Sequence, residues 1–115
     1  MKEDLVYLQH ILDAISRIEE YTMNMGYGDF MENHLVQDGV IRQIEIIGEA
    51  AKRVSDRIRA KYLGIPWKDM TGMRDKLIHG YFGVDLDAVW DTVEKDIPLL
   101  KNEIKKIIDE EGYAR

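Results

Sequence analysis

Apolar side chains recur at every third or fourth position over most of this chain, and this spacing restricts it to helical folds. The first stripe consists of Leu5, Leu8, Leu12, Ile15, Ile18, Thr22 and Met25. The second consists of Val40, Ile44, Ile47, Ala51, Val54 and Ile58. The third consists of Leu86, Val89, Val93, Ile97, Leu100, Ile104 and Ile107. The sequence has no alternating apolar and polar segment of the kind that forms a β-strand, so we expect an all-α fold.

Glycine residues and a polar cap predict where the first two helices begin and end. Gly26 and Gly28 should end the first helix. The second should run through residues 35–62 and could begin as early as Asp29, a residue type that caps helices. Within it, Gly48 lacks a side chain and should permit close approach of a neighbouring helix.

The second half of the chain predicts one short and one long helix. The short third helix should start at Pro66 and end near His79. Asp85 should cap the fourth helix, and Pro98 should interrupt it because proline has no backbone N–H. These four helices predict an up-and-down bundle with a short third helix, formed as a single domain by residues 1–115.

Composition narrows the class of protein further. The chain has 115 residues, of which 45% are hydrophobic and 33% charged, as in globular proteins. It has no cysteine, which excludes disulfides, thiolate metal ligands and a cysteine nucleophile. No apolar run approaches the length of about 20 residues that spans a membrane, and the amino terminus does not read as a signal peptide. We therefore expect a cytoplasmic protein with no membrane association.

Positive charge is concentrated in one part of this acidic chain. The net charge is −6, but residues 50–80 contain eight basic residues and three acids, which leaves that segment at +5. One explanation is that the basic residues between Lys52 and Lys61 complement the carboxyl end of a helix dipole. The other explanation is that these basic residues form a surface that binds an anionic partner.

The usual signs of a metal or cofactor site are missing from the sequence. His10, His34 and His79 lie on separate segments, with no second histidine or carboxylate at metal-ligand spacing. Glu45 and Glu49 lie one turn apart, but the Glu-x-x-His companions of a di-iron bundle do not occur. We expect neither a metal nor a cofactor.

One cluster of chemically active residues remains: Arg74 and His79, separated by four residues, and Tyr81, separated from His79 by one residue. A structural explanation is open, since a histidine near a helix end can bind the last carbonyls and a tyrosine can pack on the bundle. On a straight helix, Arg74 and His79 point about 140° apart. They converge if the helix loosens near His79, which Gly80 permits, or if a second subunit completes the site.

Five segments in order carry a resemblance that covers essentially the whole chain. The segment "RDKLIHGYFGVD", preceded by "LVQDGVIRQIEIIGEAAKR" and "IPWKDMTGM" and followed by "VWDTV" and "DIPLL", resembles the HepT-like branch of the HEPN-domain proteins. Arg74, Asp75 and His79 match that family's arginine–polar–histidine motif, and Tyr81 matches the tyrosine of the HepT branch. The resemblance implies a helical homodimer that acts as a metal-independent ribonuclease toxin. It also implies a nucleotidyltransferase antitoxin of the MNT type, which adenylylates the motif tyrosine.

The residue types suit the implied chemistry. Arg74 can hold a phosphate with two oxygens, and His79 can exchange a proton near neutral pH. Asp75 could orient either of them, and Tyr81 would accept AMP. The candidates for RNA contact are Lys52, Arg53, Arg57, Arg59, Lys61 and Lys76.

Two functions from different classes stay open at this point. One is a toxin endoribonuclease with RNA as its substrate. The other is a non-catalytic helical dimer that binds a nucleotidyltransferase partner or a nucleotide. In both cases we expect the dimer contact beside the third helix, because an isolated helix does not unite Arg74 with His79.

Overall fold

The described residues are helical, with no β-strand among them, and this confirms the predicted all-α class. A computed structural model describes the backbone of residues 2–77 and 83–113 and the side chains of residues 3–72 and 83–112. Its helices are α1 (Lys2–Tyr21), α2 (Tyr27–Glu32), α3 (His34–Arg53), α4 (Asp56–Lys61), α5 (Trp67–Leu77), α6 (Leu86–Asp91) and α7 (Ile97–Tyr113). None of the described helices is both long enough and apolar enough to cross a membrane.

The hydrophobic core lies between the longer helices. Helix α1 packs on α3 and on α7, and α3 packs on α5. The three predicted stripes supply most of the core, and the fully buried members include Leu8, Ile15, Ile18, Val40, Ile44, Ile47, Ile58, Ile104 and Ile107. Burying such a stripe is the main stabilising contribution of an amphipathic helix, so the periodicity correctly locates the core.

The predicted start of the second helix near residue 35 is confirmed, because α3 begins at His34, but the possible earlier start in the segment around Asp29 was wrong. The segment begins as the separate short helix α2, in which the Asp29 carboxylate accepts the backbone N–H of Gly26 at 3.0 Å. The chain then leaves helical geometry at Asn33, whose side chain accepts the N–H of Val36 at 3.0 Å. Asn33, and not Asp29, therefore caps the long helix α3.

A second break divides the predicted helix at Val54 and Ser55. The Ser55 hydroxyl accepts the N–H of Ile58 and so caps α4. Ser55 also donates its backbone N–H and its hydroxyl to the buried carboxylate of Asp4, at 2.8 Å and 2.7 Å. This distant acid stabilises the break, which local sequence alone does not reveal.

The first helix also ends earlier than predicted. Helix α1 stops at Tyr21, five residues before Gly26. The following turn contains Asn24 with a φ of 61°, a left-handed conformation that asparagine tolerates better than most residues. A local turn at Asn24 therefore performs the helix-ending role that the prediction assigned to the glycines.

Both predictions about the fourth helix are confirmed. The Asp85 carboxylate accepts the N–H of Ala88 at 3.0 Å and caps α6. Upstream of Pro98, residues Thr92–Asp96 form a π-helical turn, in which the N–H of Ile97 donates to the carbonyl of Thr92. A wider turn fits a proline that lacks an N–H and whose ring would crowd the carbonyl four residues before it.

Candidate functional site

Helix α5 carries the motif arginine, and its first half is firmly anchored. Trp67 and Met70 are buried, and the indole N–H of Trp67 donates to the carbonyl of Tyr62 at 3.0 Å. The N–H of Met70 donates to the carbonyl of Pro66 at 3.0 Å, which places Pro66 at the helix start as predicted. These described contacts of α5 precede Arg74 in the chain.

Gly48 of α3 lets α5 approach closely, as the sequence predicted. A Cβ atom at Gly48 would lie 3.3 Å from the carbonyl oxygen of Met70 and 3.8 Å from that of Thr71. The first distance is tighter than most real Cβ contacts, and the opposing atom is backbone, which cannot easily move. The backbone of α5 is therefore positioned against α3 about one turn before Arg74.

The motif itself falls mostly outside the described part of the chain. Arg74, Asp75 and Lys76 belong to the backbone of α5, but their side chains are not among the described ones. His79 and Tyr81 lie outside the described residues altogether. The chain is described again from Gly83, which has a φ of 94°, and continues into the capped helix α6.

Two of the predicted RNA-contact residues hold a buried carboxylate. Arg57 and Lys61 each lie 2.7 Å from Glu111, whose side chain is 5% exposed. The Tyr62 hydroxyl also donates to Glu111, at 2.8 Å. The bonds from Lys61, Arg57 and Tyr62 lower the pKa of Glu111 to about 2. These side chains, here called the Glu111 cluster, join α4 and the residue after it to α7.

Arg59 has a different structural contact. Its guanidinium donates to the carbonyl oxygens of Ala51 at 2.6 Å and Val54 at 3.1 Å. Both carbonyls lie at or just after the carboxyl end of α3, where Ala51 also accepts the N–H of Val54 at 3.3 Å. For Arg59 the helix-end explanation of the basic segment therefore applies.

The family model described as "Ribonuclease HepT-like" matches residues 11–107, a range that contains every motif position from Arg74 to Tyr81. The chain belongs to the HepT-like ribonuclease family. The resemblance inferred from the sequence is thereby confirmed, and the HEPN-type helical fold agrees with it.

Curated relatives support the same assignment. "Putative RNase MJ1216" of Methanocaldococcus jannaschii is 47% identical over 113 residues, covering 96% of this chain and 93% of the relative. "Probable ribonuclease HepT" of Thermococcus cleftensis is 46% identical over 101 residues, covering 88% and 92%. "Gamma-glutamylcyclotransferase and putative RNase MJ0434" of M. jannaschii is 53% identical over 111 residues, but this HepT-like chain spans 50% of its length. No solved structure matches the chain.

The remaining basic candidates of this HepT-like protein are exposed. Lys52 lies 3.7 Å from Glu49, with both side chains more than half exposed. Arg53 lines an open cleft between α1 and α3, together with Tyr7, His10 and Arg42. Sequence reasoning missed the last three, although Arg42 and Arg53 are eleven residues apart and so lie on one helix face.

The described part of this HepT-like chain contains no group of three or more histidine, aspartate or glutamate side chains that could hold a metal ion.

Proposed function

We propose that this HepT-like chain is an endoribonuclease toxin that cleaves RNA without a metal ion and is silenced by adenylylation of Tyr81. The observation that carries the proposal is the family match over residues 11–107, which includes Arg74, Asp75, His79 and Tyr81 in the expected order. Residues 1–115 form a single HepT-like domain in this proposal, which relatives that match over more than 90% of their own length support. Such a toxin acts in the cytoplasm, where its RNA substrates are.

Cleavage without a metal needs three changes at one phosphate. A base removes the proton of the ribose 2′-hydroxyl, that oxygen attacks the phosphorus, and the 5′-oxygen leaves with a proton from an acid. Arg74 binds the phosphate oxygens and stabilises the charge that develops on them. His79 exchanges the proton, because an imidazole with a pKa near ~6.5 can do so at neutral pH. Asp75 orients one of these two side chains.

A homodimer supplies the second proton-exchange group. Each chain contributes one motif histidine, and the reaction uses both a base and an acid. Two-fold symmetry brings a second His79 to the site if the contact surface lies beside α5. The fixed position of α5 against Gly48 of α3 supports this arrangement, because it gives the motif a rigid support in each subunit.

The partner in this proposal is an MNT-type nucleotidyltransferase that uses ATP and magnesium. The phenol oxygen of Tyr81 attacks the α-phosphorus of ATP, the bond to pyrophosphate breaks, and the phenol proton passes to solvent or a base of the partner. The product carries AMP, whose bulk and negative charge compete with substrate phosphate near Arg74.

The test combines RNA cleavage with intact-mass measurement after incubation with the partner and ATP. Adenylylation should increase the mass by one or more AMP groups and abolish cleavage. Tyr81→Phe should keep most of the cleavage activity but stay unmodified, because no chemical step requires the phenol oxygen. Tyr62→Phe is the matched control, because the Tyr62 hydroxyl lies within hydrogen-bond distance of Glu110 and Glu111 and is not the proposed acceptor. The Tyr62→Phe protein should still be adenylylated at Tyr81. If Tyr81 stays unmodified and RNA stays whole with untreated protein, a non-catalytic binding module is the better description.

A further inference from the structure

An open cleft lies on the outer surface of the bundle between α1 and α3. It has a volume of about 360 Å³ and is lined by Tyr7, His10, Arg42, Ile46, Glu49, Ala50 and Arg53. The arginines and Glu49 are exposed, whereas Ala50 is buried and Ile46 half-buried. The cleft thus has a small apolar floor with charged residues at its edges.

The two arginines of the cleft differ from those elsewhere in the basic segment. Arg57 and Arg59 bind a carboxylate and two carbonyls of the protein itself. Among the described side chains, those of residues 3–72 and 83–112, by contrast, no hydrogen bond or ion pair engages the guanidinium groups of Arg42 and Arg53. Their ten donor N–H positions are therefore available to a ligand from outside.

Their spacing suits an extended anionic ligand. Residues eleven apart on a helix share a face and lie about 16 Å apart along its axis. Glu49 lies between them, but the Lys52 ammonium 3.7 Å away offsets part of its charge. A single small anion would meet one arginine, whereas a chain of phosphates could meet both.

The aromatic wall of the cleft indicates what else the ligand would contain. The Tyr7 and His10 rings meet edge to face, with centroids 6.0 Å apart and planes at 83°. His10 is exposed and Tyr7 half-exposed, so ring faces are accessible to an unpaired base. Stacking on such rings is worth about 1–3 kcal/mol per base in single-strand binding proteins.

We propose that this cleft is a secondary binding site for single-stranded RNA, with phosphates on Arg42 and Arg53 and bases on the Tyr7–His10 wall. The inference deepens the proposed ribonuclease function and rests on it for the choice of RNA. Two other clefts of the described residues have acidic walls, one with Asp69, Asp96 and Glu103 and one with Asp29 and Glu32. Those clefts would repel phosphate.

The cleft is separate from the proposed reaction centre. Gly48 of α3 faces α5, whereas Arg53 points about 140° away from it around the same helix. RNA bound in this cleft would contact the protein at a distance from the scissile phosphate. The cleft should therefore affect how tightly substrate binds, and leave the chemical step unchanged.

The experiment measures binding of a fluorescent single-stranded 2′-O-methyl oligoribonucleotide, which cannot be cleaved by attack of its own 2′-hydroxyl. Arg42→Gln combined with Arg53→Gln should raise the Kd about tenfold or more. It should also lower the slope of log Kd against log salt concentration by about 1 to 1.5, as expected when two phosphate contacts are lost. Tyr7→Leu combined with His10→Leu should raise the Kd without changing the slope.

The control is Lys105→Gln combined with Lys106→Gln, which removes the same charge from an exposed part of α7 and should leave the Kd within twofold. In cleavage assays the arginine pair should raise KM and leave kcat unchanged. Equal affinity of the arginine pair and the control pair would overturn the proposal. A change in the oligomeric state of the arginine-pair variant without a change in RNA affinity would also overturn it, because the cleft would then be a contact between protein chains. RNA binding by the cleft in a protein that never cleaves RNA would leave this site standing and refute the proposed ribonuclease function instead.

Discussion

An arginine, a lysine and a tyrosine occur close together twice in this chain, at Arg57, Lys61 and Tyr62 and again at the motif. In the first group, all three side chains bind Glu111, which is almost fully buried. In the motif, the same residue types follow the first half of α5, in which Trp67 and Met70 are buried. Residue type alone therefore does not separate a structural cluster from a reactive one. In the first group, the buried carboxylate of Glu111 identifies the structural role.

We expect the largest effect on RNA cleavage from substitutions in the motif. His79→Ala and Arg74→Ala should each reduce RNA cleavage at least ~100-fold, because general acid–base catalysis and charge stabilisation contribute that much or more. Thermal unfolding and helical circular dichroism should stay unchanged. His34→Ala and Lys105→Ala, at exposed positions outside the motif, should keep full cleavage. A fully active Arg74 or His79 variant would contradict the catalytic role of the motif.

The Glu111 cluster should show the opposite pattern, with a loss of stability and normal cleavage. Glu111→Gln keeps the shape of the side chain but removes the charge that Arg57 and Lys61 bind, so the free energy of unfolding should fall by about 1–3 kcal/mol. Cleavage per folded molecule should not change. Denaturant unfolding checks this, with Asp109→Asn as the control for loss of an exposed acid. If Glu111→Gln is as stable as the wild type but cleaves less RNA, the Glu111 cluster belongs to the functional site.

The same cluster makes stability depend on acid pH. The folded state lowers the pKa of Glu111 from 4.5 to about 2. A carboxylate with a lowered pKa contributes stability that is fully present above its unfolded value and is lost as the pH falls through its folded value. Wild-type stability should therefore decline between about pH 4.5 and pH 2 by up to the same 1–3 kcal/mol, after discounting for the half-exposed partners. In Glu111→Gln this part of the decline should be absent, and identical pH profiles would refute the assigned role.

The smallest expected effect concerns the support of α5. Gly48→Ala places a Cβ atom 3.3 Å from the Met70 carbonyl, and the gain in helix propensity offsets only part of that strain. We expect a net loss of about 1 kcal/mol and a several-fold loss of cleavage, because α5 must shift. Gly112→Ala in α7, where a Cβ would meet nothing within 4 Å, should be neutral or stabilising. If Gly48→Ala lowers stability without affecting cleavage, the position of α5 does not matter for the reaction.

The fold was predictable from sequence where local patterns determine it. The apolar stripes, the Asp85 cap, the close approach at Gly48 and the interruption before Pro98 are all confirmed. The break at Ser55 was not predictable, because the carboxylate that stabilises it belongs to Asp4, 51 residues away. Local propensity favours a continuous helix there, and a tertiary hydrogen bond overrides it.

In the candidate site, too, local patterns were predictable and contacts between distant residues were not. The motif residues were identified from spacing and from the family resemblance, since both are properties of consecutive residues. The partners of Arg57 and Lys61 were not, because Glu111 follows them by 50 residues or more. Arg53 was among the predicted candidates, but Arg42 was missed, because its significance depends on which basic side chains the fold leaves without a partner among the described residues.

The central claim is that this chain cleaves RNA by attack of a 2′-hydroxyl, without a metal, at the Arg74–His79 motif. The most direct measurement incubates purified protein with single-stranded RNA in excess EDTA and determines the chemistry of the fragment ends. The account predicts fragments with 2′,3′-cyclic phosphate and 5′-hydroxyl ends, lost in His79→Ala and with 2′-O-methyl RNA. No cleavage, or cleavage that stops in EDTA and leaves 5′-phosphate ends, would contradict it.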